Sequence, residues 1–347
     1  MTETINGARP LILVDPLPRT LDLICDAATR RKLEKLARIV AHESSAMPGN
    51  MLEELLPEAV ILVGQTAMPE ARLRKARNLR AIINVETNFT DNIDYDYCFA
   101  HGIHVLTPGS AFADSVAESA LGMAIDLGRG ITLADRAMRH GTEAYGLDGN
   151  SESYSLIGAT VGLIGFGDLA RSFHRLVQPF NCPIKVFDPW VPDYVLGKYH
   201  CQPASLDEVL STSKFMIVFA GVTSENAGFL GREKLGLIQK DASFLLMSRA
   251  AVVDFPVLLE FVRAGRFRAA TDVFPVEPVL PDDPVRSVEG LLLSAHRTGG
   301  MIGALHDIGA QMVADIELIL KGLPPVVCRK ALRETVARFR SKPVTMT

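Results

Sequence analysis

Arg249, Glu277 and His296 fall within 48 positions of one another, and their chemistries are complementary. A guanidinium grips a carboxylate through two parallel hydrogen bonds and can polarise a ketone beside it. An imidazole exchanges a proton near neutral pH, and an adjacent carboxylate stabilises its charged form. Such groups suit the reduction of a carbonyl that stands next to a carboxylate, provided something else delivers the hydride. Arg249 follows the apolar run Ser243–Met247. His296 follows Leu291–Ser294 and precedes Gly299-Gly300, while Glu277 lies in Asp272-Val273-Phe274-Pro275-Val276-Glu277-Pro278.

A hydride source is implied upstream, where Thr160-Val161-Gly162-Leu163-Ile164 runs into Gly165-Phe166-Gly167-Asp168-Leu169-Ala170. Gly165 permits a tight turn, Gly167 lets the backbone approach a pyrophosphate, and Ala170 allows close helix–strand packing. The helix that opens at Asp168 and Leu169 aims free N–H groups at phosphates. The carboxylate of Asp168 must then point to solvent. The next strand, Ile184–Phe187, ends in Asp188, 18 residues after Ala170. A carboxylate there accepts hydrogen bonds from ribose hydroxyls and repels a 2′-phosphate, so the expected cofactor is NAD rather than NADP.

These residues need strands to carry them. Short apolar runs at Leu11–Val14, Val60–Val63, Ala81–Asn84, Thr160–Ile164, Ile184–Phe187, Phe215–Phe219, Ser243–Met247 and Leu291–Ser294 alternate with helical patterns. That alternation predicts an α/β protein of βαβ units with parallel sheets. Hinges are expected at Thr107-Pro108-Gly109, ahead of a helix capped by Ser115 and Glu118, and at Gly299-Gly300. The helical run Leu305, Ile308, Met312, Ile316, Ile319 stops at Gly322. Two doubly wound domains follow: residues 1–108 with 301–347 form a flavodoxin-like substrate domain, and residues 109–300 an inserted Rossmann-type NAD-binding domain. A cleft between them is expected to hold the ligands.

Beyond these physical cues, the chain resembles the D-isomer-specific 2-hydroxyacid dehydrogenases. The match runs through Thr107-Pro108-Gly109, Ser115-Val116-Ala117-Glu118, the glycine loop, Arg249, Asp272-Val273-Phe274 with Glu277-Pro278, and His296 with Gly299. The resemblance implies that Arg249 binds the substrate carboxylate, that His296 exchanges a proton with the substrate oxygen, and that Glu277 holds the imidazole. It also implies that Asp272 contacts the nicotinamide carboxamide, that Ala220, Val222, Ser248 and Gly299 line the cofactor, and that the protein is a homodimer acting on a small 2-hydroxy or 2-keto acid. The chain departs from the family before Asp91-Asn92-Ile93-Asp94, where Thr87 and Phe89 replace the usual glycines. Thr87, Asn88 and Phe89 are therefore expected to touch the substrate, and Glu86 needs a substrate hydroxyl or a basic neighbour. The usual asparagine before the catalytic arginine is absent, and Ala250 replaces the glycine after it.

The bulk properties narrow the field further. The chain has 347 residues, is 48% hydrophobic and carries a net charge of −4. That suffices for two cores and implies no basic face, so nucleic acid is not an expected partner. Leu11–Val14 is far too short to span a bilayer, and Met1-Thr2-Glu3-Thr4 carries an acid where a secretory leader carries basic residues. Five cysteines without CxxC spacing read as reduced thiols in a cytoplasmic protein, and no metal site is expected. Two alternatives stay open: an NAD-sensing regulatory protein on the same scaffold, and a related oxidation such as that of phosphite.

Overall fold

A computed structural model describes residues 9–341, so the Met1–Thr4 stretch and the end of the basic tail lie outside the described residues. One compact unit runs to Phe112 and resumes at Met301; the other is Ala113–Gly300. The first contains strands β1 (Leu11–Asp15), β2 (Arg38–Ala41), β3 (Ala59–Gly64), β4 (Ala81–Ile83), β5 (Phe89–Thr90) and β6 (His104–Thr107). The second contains β7 (Val161–Ile164), β8 (Ile184–Phe187), β9 (Gln202–Pro203), β10 (Phe215–Val218), β11 (Ser243–Leu246), β12 (Arg268–Thr271) and β13 (Leu291–Leu293). Back in the first unit, β14 (Arg329–Lys330) and β15 (Arg340–Ser341) follow.

The first sheet has the order β14-β6-β4-β3-β1-β2. Its strands are parallel except β14, which pairs antiparallel with β6. The parallel part is the flavodoxin-like order. β1 and β3 are buried along their whole length, as expected for strands covered on both faces. The period of two then sorts their side chains. Ile12, Val14, Ile61, Val63 and Ile83 pack into one core, with Ile308, Met312 and Ile316. Leu11, Leu13, Leu62 and Ile82 pack into another, with Leu52, Leu73 and Cys98.

The helix Ile302–Leu320 covers the first of these cores, and Gly322, at φ +73, ends it in the left-handed conformation that favours glycine. The carboxylate of Asp315 on that helix accepts hydrogen bonds from the N–H groups of Val326, Val327 and Cys328, which turns the chain back towards β14.

The second sheet runs β13-β12-β11-β10-β7-β8-β9 and is parallel throughout. Counted within the unit, that is the doubly wound Rossmann order, with the topological switch between β7 and β10. The helix Ala113–Arg129 begins two residues before Ser115. Ser115 and Glu118 therefore lie inside it rather than forming a capping box. The acid of its first turn, Asp114, instead accepts from Ser172 and pairs with Arg175 at 2.9 Å. No helix of the described residues is long and apolar enough to cross a membrane.

Candidate active site

Because every strand of the second sheet runs the same way, all its carboxyl ends share one edge. Read along that edge, His296 follows β13, Asp272 and Glu277 follow β12, Ser248 and Arg249 follow β11, Ala220 follows β10, Gly165 follows β7 and Asp188 follows β8. Residues dispersed over 132 positions of chain, from Gly165 to His296, are thus gathered on neighbouring strands, which lie about 4.8 Å apart. Open α/β sheets bind ligands at this edge, at the switch point.

The glycine loop sits at that switch. Gly165 has φ +91, and a Cβ there would stand 2.7 Å from the amide nitrogen of Ala220, so only glycine lets the two chains pass. A Cβ on Gly167 would meet nothing within 4 Å. The N-terminus of helix Asp168–Val177 therefore opens onto free space, with its first-turn N–H groups available to an anion. Asp168 is exposed and Ala170 buried, as a pyrophosphate cradle requires. Asp188 is tied to the loop: its Oδ2 accepts from Phe166 N–H at 2.7 Å and its Oδ1 from Trp190 N–H at 2.8 Å. A carboxylate has about four acceptor sites, so capacity is left for ribose hydroxyls. Leu169 is half-buried and Val222 is 37% exposed. Asn226 braces the Val222 loop by accepting from Thr223 N–H and donating to the Gly221 carbonyl. The Ser248 hydroxyl is buried without a hydrogen-bond partner among the described residues, and a bound polar group would remove that cost of about 1–3 kcal/mol. These features fit a dinucleotide.

His296 and Glu277 form a hydrogen-bonded pair on this edge. His296 Nδ1–H donates to Glu277 Oε2 at 2.6 Å, which leaves Nε2 for a reacting oxygen. Glu277 Oε1 is held in turn by Phe274 N–H at 2.8 Å. His296 has φ +50, a left-handed backbone that costs about 1–2 kcal/mol for an L residue and persists only where neighbours enforce it. Asp272 does the enforcing. Its backbone carbonyl accepts from His296 N–H at 2.8 Å. Its carboxylate accepts from Arg297 N–H at 3.0 Å, from Thr298 N–H at 3.3 Å and from the Thr298 hydroxyl at 2.5 Å. Only 2% of Asp272 is exposed. Expected at the carboxamide, it has most of its acceptor capacity committed to the histidine loop, along with the hydroxyl of Thr298, a residue not singled out from the sequence. Arg249 is exposed, and its guanidinium donates to the Ser248 carbonyl at 2.8 Å.

The residues expected to meet substrate from the first unit follow β4. Thr87, standing where glycine is usual, has φ +67, so the turn keeps the conformation glycine would adopt and strains a β-branched residue to do so. Asn88 is half-buried. Phe89 is a correction. Rather than lining a pocket, it is 4% exposed and lies in the core, edge-on to Tyr95 at 6.4 Å and under Arg329 at 5.9 Å. The aromatic ring is consumed by burial.

Glu86 is 5% exposed. Burial pushes its carboxyl above the ordinary range, and the charge of Arg19 opposes this. The folded carboxyl thus holds its proton more tightly than the unfolded one, and stability falls as pH rises from the ordinary glutamate value of about 4.3 up to the raised folded value. Glu86→Gln is accordingly expected to stabilise the protein fully at pH above the raised folded value, and progressively less as pH falls from there to the ordinary glutamate value. Thermal melts of both proteins across the range check this, and a Tm difference independent of pH would contradict it.

Comparison with known proteins accords with this geometry. Residues 121–298 match the family described as D-isomer specific 2-hydroxyacid dehydrogenase, NAD binding domain. The chain is 26% identical over 313 residues to the glyoxylate reductase of Thermofilum pendens, covering 86% of this chain and 90% of that one. It is 25% identical to the D-3-phosphoglycerate dehydrogenase of Archaeoglobus fulgidus over 81% of its own length but only 54% of the relative's, so it spans about half of that protein. A crystal structure of a phosphoglycerate oxidoreductase from Rhizobium etli shares 40% identity and a TM-score of 0.86, over 94% of this chain and 100% of that one. The chain belongs to the D-isomer specific 2-hydroxyacid dehydrogenase family, and its second unit is that family's NAD-binding domain.

Proposed function

We propose that the protein interconverts a D-2-hydroxy acid and the corresponding 2-keto acid. The hydrogen-bonded Glu277–His296 pair carries this reading, because a binding protein has no use for an acid–base imidazole held by a carboxylate and forced into a left-handed backbone. NADH, when bound, supplies the hydride. Arg249 binds the substrate carboxylate and orients the carbonyl. His296 delivers the proton from Nε2 to the carbonyl oxygen, or removes it from the hydroxyl in the reverse direction. Glu277 stabilises the imidazolium, and Asp272 positions the histidine loop. Asp188 takes the ribose hydroxyls, Gly165, Gly167, Asp168 and Leu169 take the pyrophosphate through the backbone, and Ala220, Val222, Ser248 and Gly299 line the ring side. Thr87 and Asn88 remain the substrate contacts proposed from the first unit.

The test is NADH oxidation by purified protein across 2-keto acids that vary in tail size and charge, repeated with NADPH. Turnover that prefers NADH is expected. Cofactor binding with no turnover of any member would instead identify a regulator. A homodimer belongs to the same proposal: the helix Ile131–His140 buries none of its residues, and Ile131, Met138 and Leu147 are 55%, 59% and 84% exposed. A monomer by light scattering would exclude it. The five cysteines, all free, support a reducing, cytoplasmic setting.

A further inference from the structure

The loop that carries His296 also carries a cation that the proposed reaction does not use. Arg297 is exposed. Its backbone is fixed on both sides: its N–H donates to Asp272 Oδ1 at 3.0 Å, and its carbonyl accepts from Gly300 N–H at 3.0 Å. Its guanidinium makes no hydrogen bond or ion pair among the described residues. The acids of the loop are engaged elsewhere. Asp272 is committed to Arg297 N–H and Thr298, and Glu277 to His296 and Phe274 N–H.

Two guanidiniums therefore stand on one sheet edge, Arg249 after β11 and Arg297 after β13, with the imidazole next to the second. The α-carboxylate of a 2-hydroxy acid satisfies one. Adjacent Cα atoms are about 3.8 Å apart, and an arginine side chain spans further than that, so an Arg297 side chain turned towards the substrate would reach atoms a few bonds from the carbon that His296 serves. A mobile surface arginine would gain little by binding an anion there. One whose backbone is already fixed loses less entropy on doing so, and its planar fork matches carboxylate and phosphate alike.

We propose that Arg297 is a specificity-determining residue that selects 2-keto and 2-hydroxy acids bearing a second anionic group, carboxylate or phosphate, on the tail. This rests on the oxidoreductase function proposed above.

The experiment measures kcat/KM with NADH for two matched pairs, 2-oxoglutarate against 2-oxopentanoate and phosphohydroxypyruvate against hydroxypyruvate, in the full chain and in Arg297→Met and Arg297→Lys. The doubly charged member is expected to be favoured in at least one pair, which tells carboxylate from phosphate. Arg297→Met should shrink that ratio by at least about tenfold, the scale of one charge-assisted contact. Arg297→Lys should recover part of it, and the preference of the unmodified protein should weaken with added salt. A ratio that moves less than twofold in Arg297→Met, or equal losses on both members of a pair, overturns the inference while leaving the oxidoreductase function standing. No turnover of any of the four compounds overturns the inference, while turnover of another member of the wider 2-keto acid panel leaves the oxidoreductase function standing.

Discussion

His296→Ala is expected to lower kcat by about 10²–10⁴-fold, the usual contribution of a positioned acid–base group, in a protein that still folds and binds NADH. The fold survives because His296 lies at the exposed edge and its side chain bonds only Glu277 among the described residues. The loop itself is held by the backbone and side chain of Asp272, which the substitution leaves in place. Alanine at φ +50 is no better tolerated than histidine, so a small stability loss or none is expected from the backbone. Steady-state rates on the best 2-keto acid, with NADH binding followed by fluorescence, measure both quantities. Turnover within threefold of the parent would remove His296 from the mechanism. A loss of NADH binding in parallel would assign it to cofactor rather than to chemistry.

Arg249→Gln is expected to reduce kcat/KM by about 10²–10³-fold, because the two-point grip proposed for Arg249 on the substrate carboxylate would both bind and orient the reacting carbonyl. Its guanidinium is exposed and donates only to the neighbouring Ser248 carbonyl among the described residues. Removing it strands no buried charge, so the loss reports on substrate rather than on folding. Arg249→Lys separates charge from shape: a point charge keeps some attraction without the planar fork, so intermediate activity is expected, with KM more affected than kcat. Equal activity of the lysine and arginine proteins would show that orientation does not depend on the guanidinium.

Much of the architecture could be read before any coordinates, and the gaps have local causes. The runs that became β1, β3, β7, β10 and β11 are buried on both faces, which writes an uninterrupted apolar stretch into the sequence. β2 is an edge strand with the sequence RIVA and exposed ends, and β12 reads RAAT, opening on an arginine. Neither has enough apolar side chain to stand out, and each exists because its neighbours supply hydrogen bonds. Helix ends were less legible. Ser115 and Glu118 have the spacing of a capping box, but the helix starts earlier, where Asp114 gains Ser172 and Arg175 from another helix, and no local pattern encodes that partner.

Residue type and order alone marked the candidate groups: a glycine is required where a Cβ would strike Ala220, a carboxylate closes the following strand, and an arginine, a glutamate and a histidine come after apolar runs. Those demands are steric and electronic properties of single side chains and short turns, so they survive in one dimension. Folding assigned the rest. It buried Phe89 against Tyr95, bent Thr87 and His296 into left-handed backbone, and committed Asp272 largely to the histidine loop. Each of these depends on which remote groups arrive to fill a side chain's contacts and hydrogen bonds, and that is a property of packing in three dimensions.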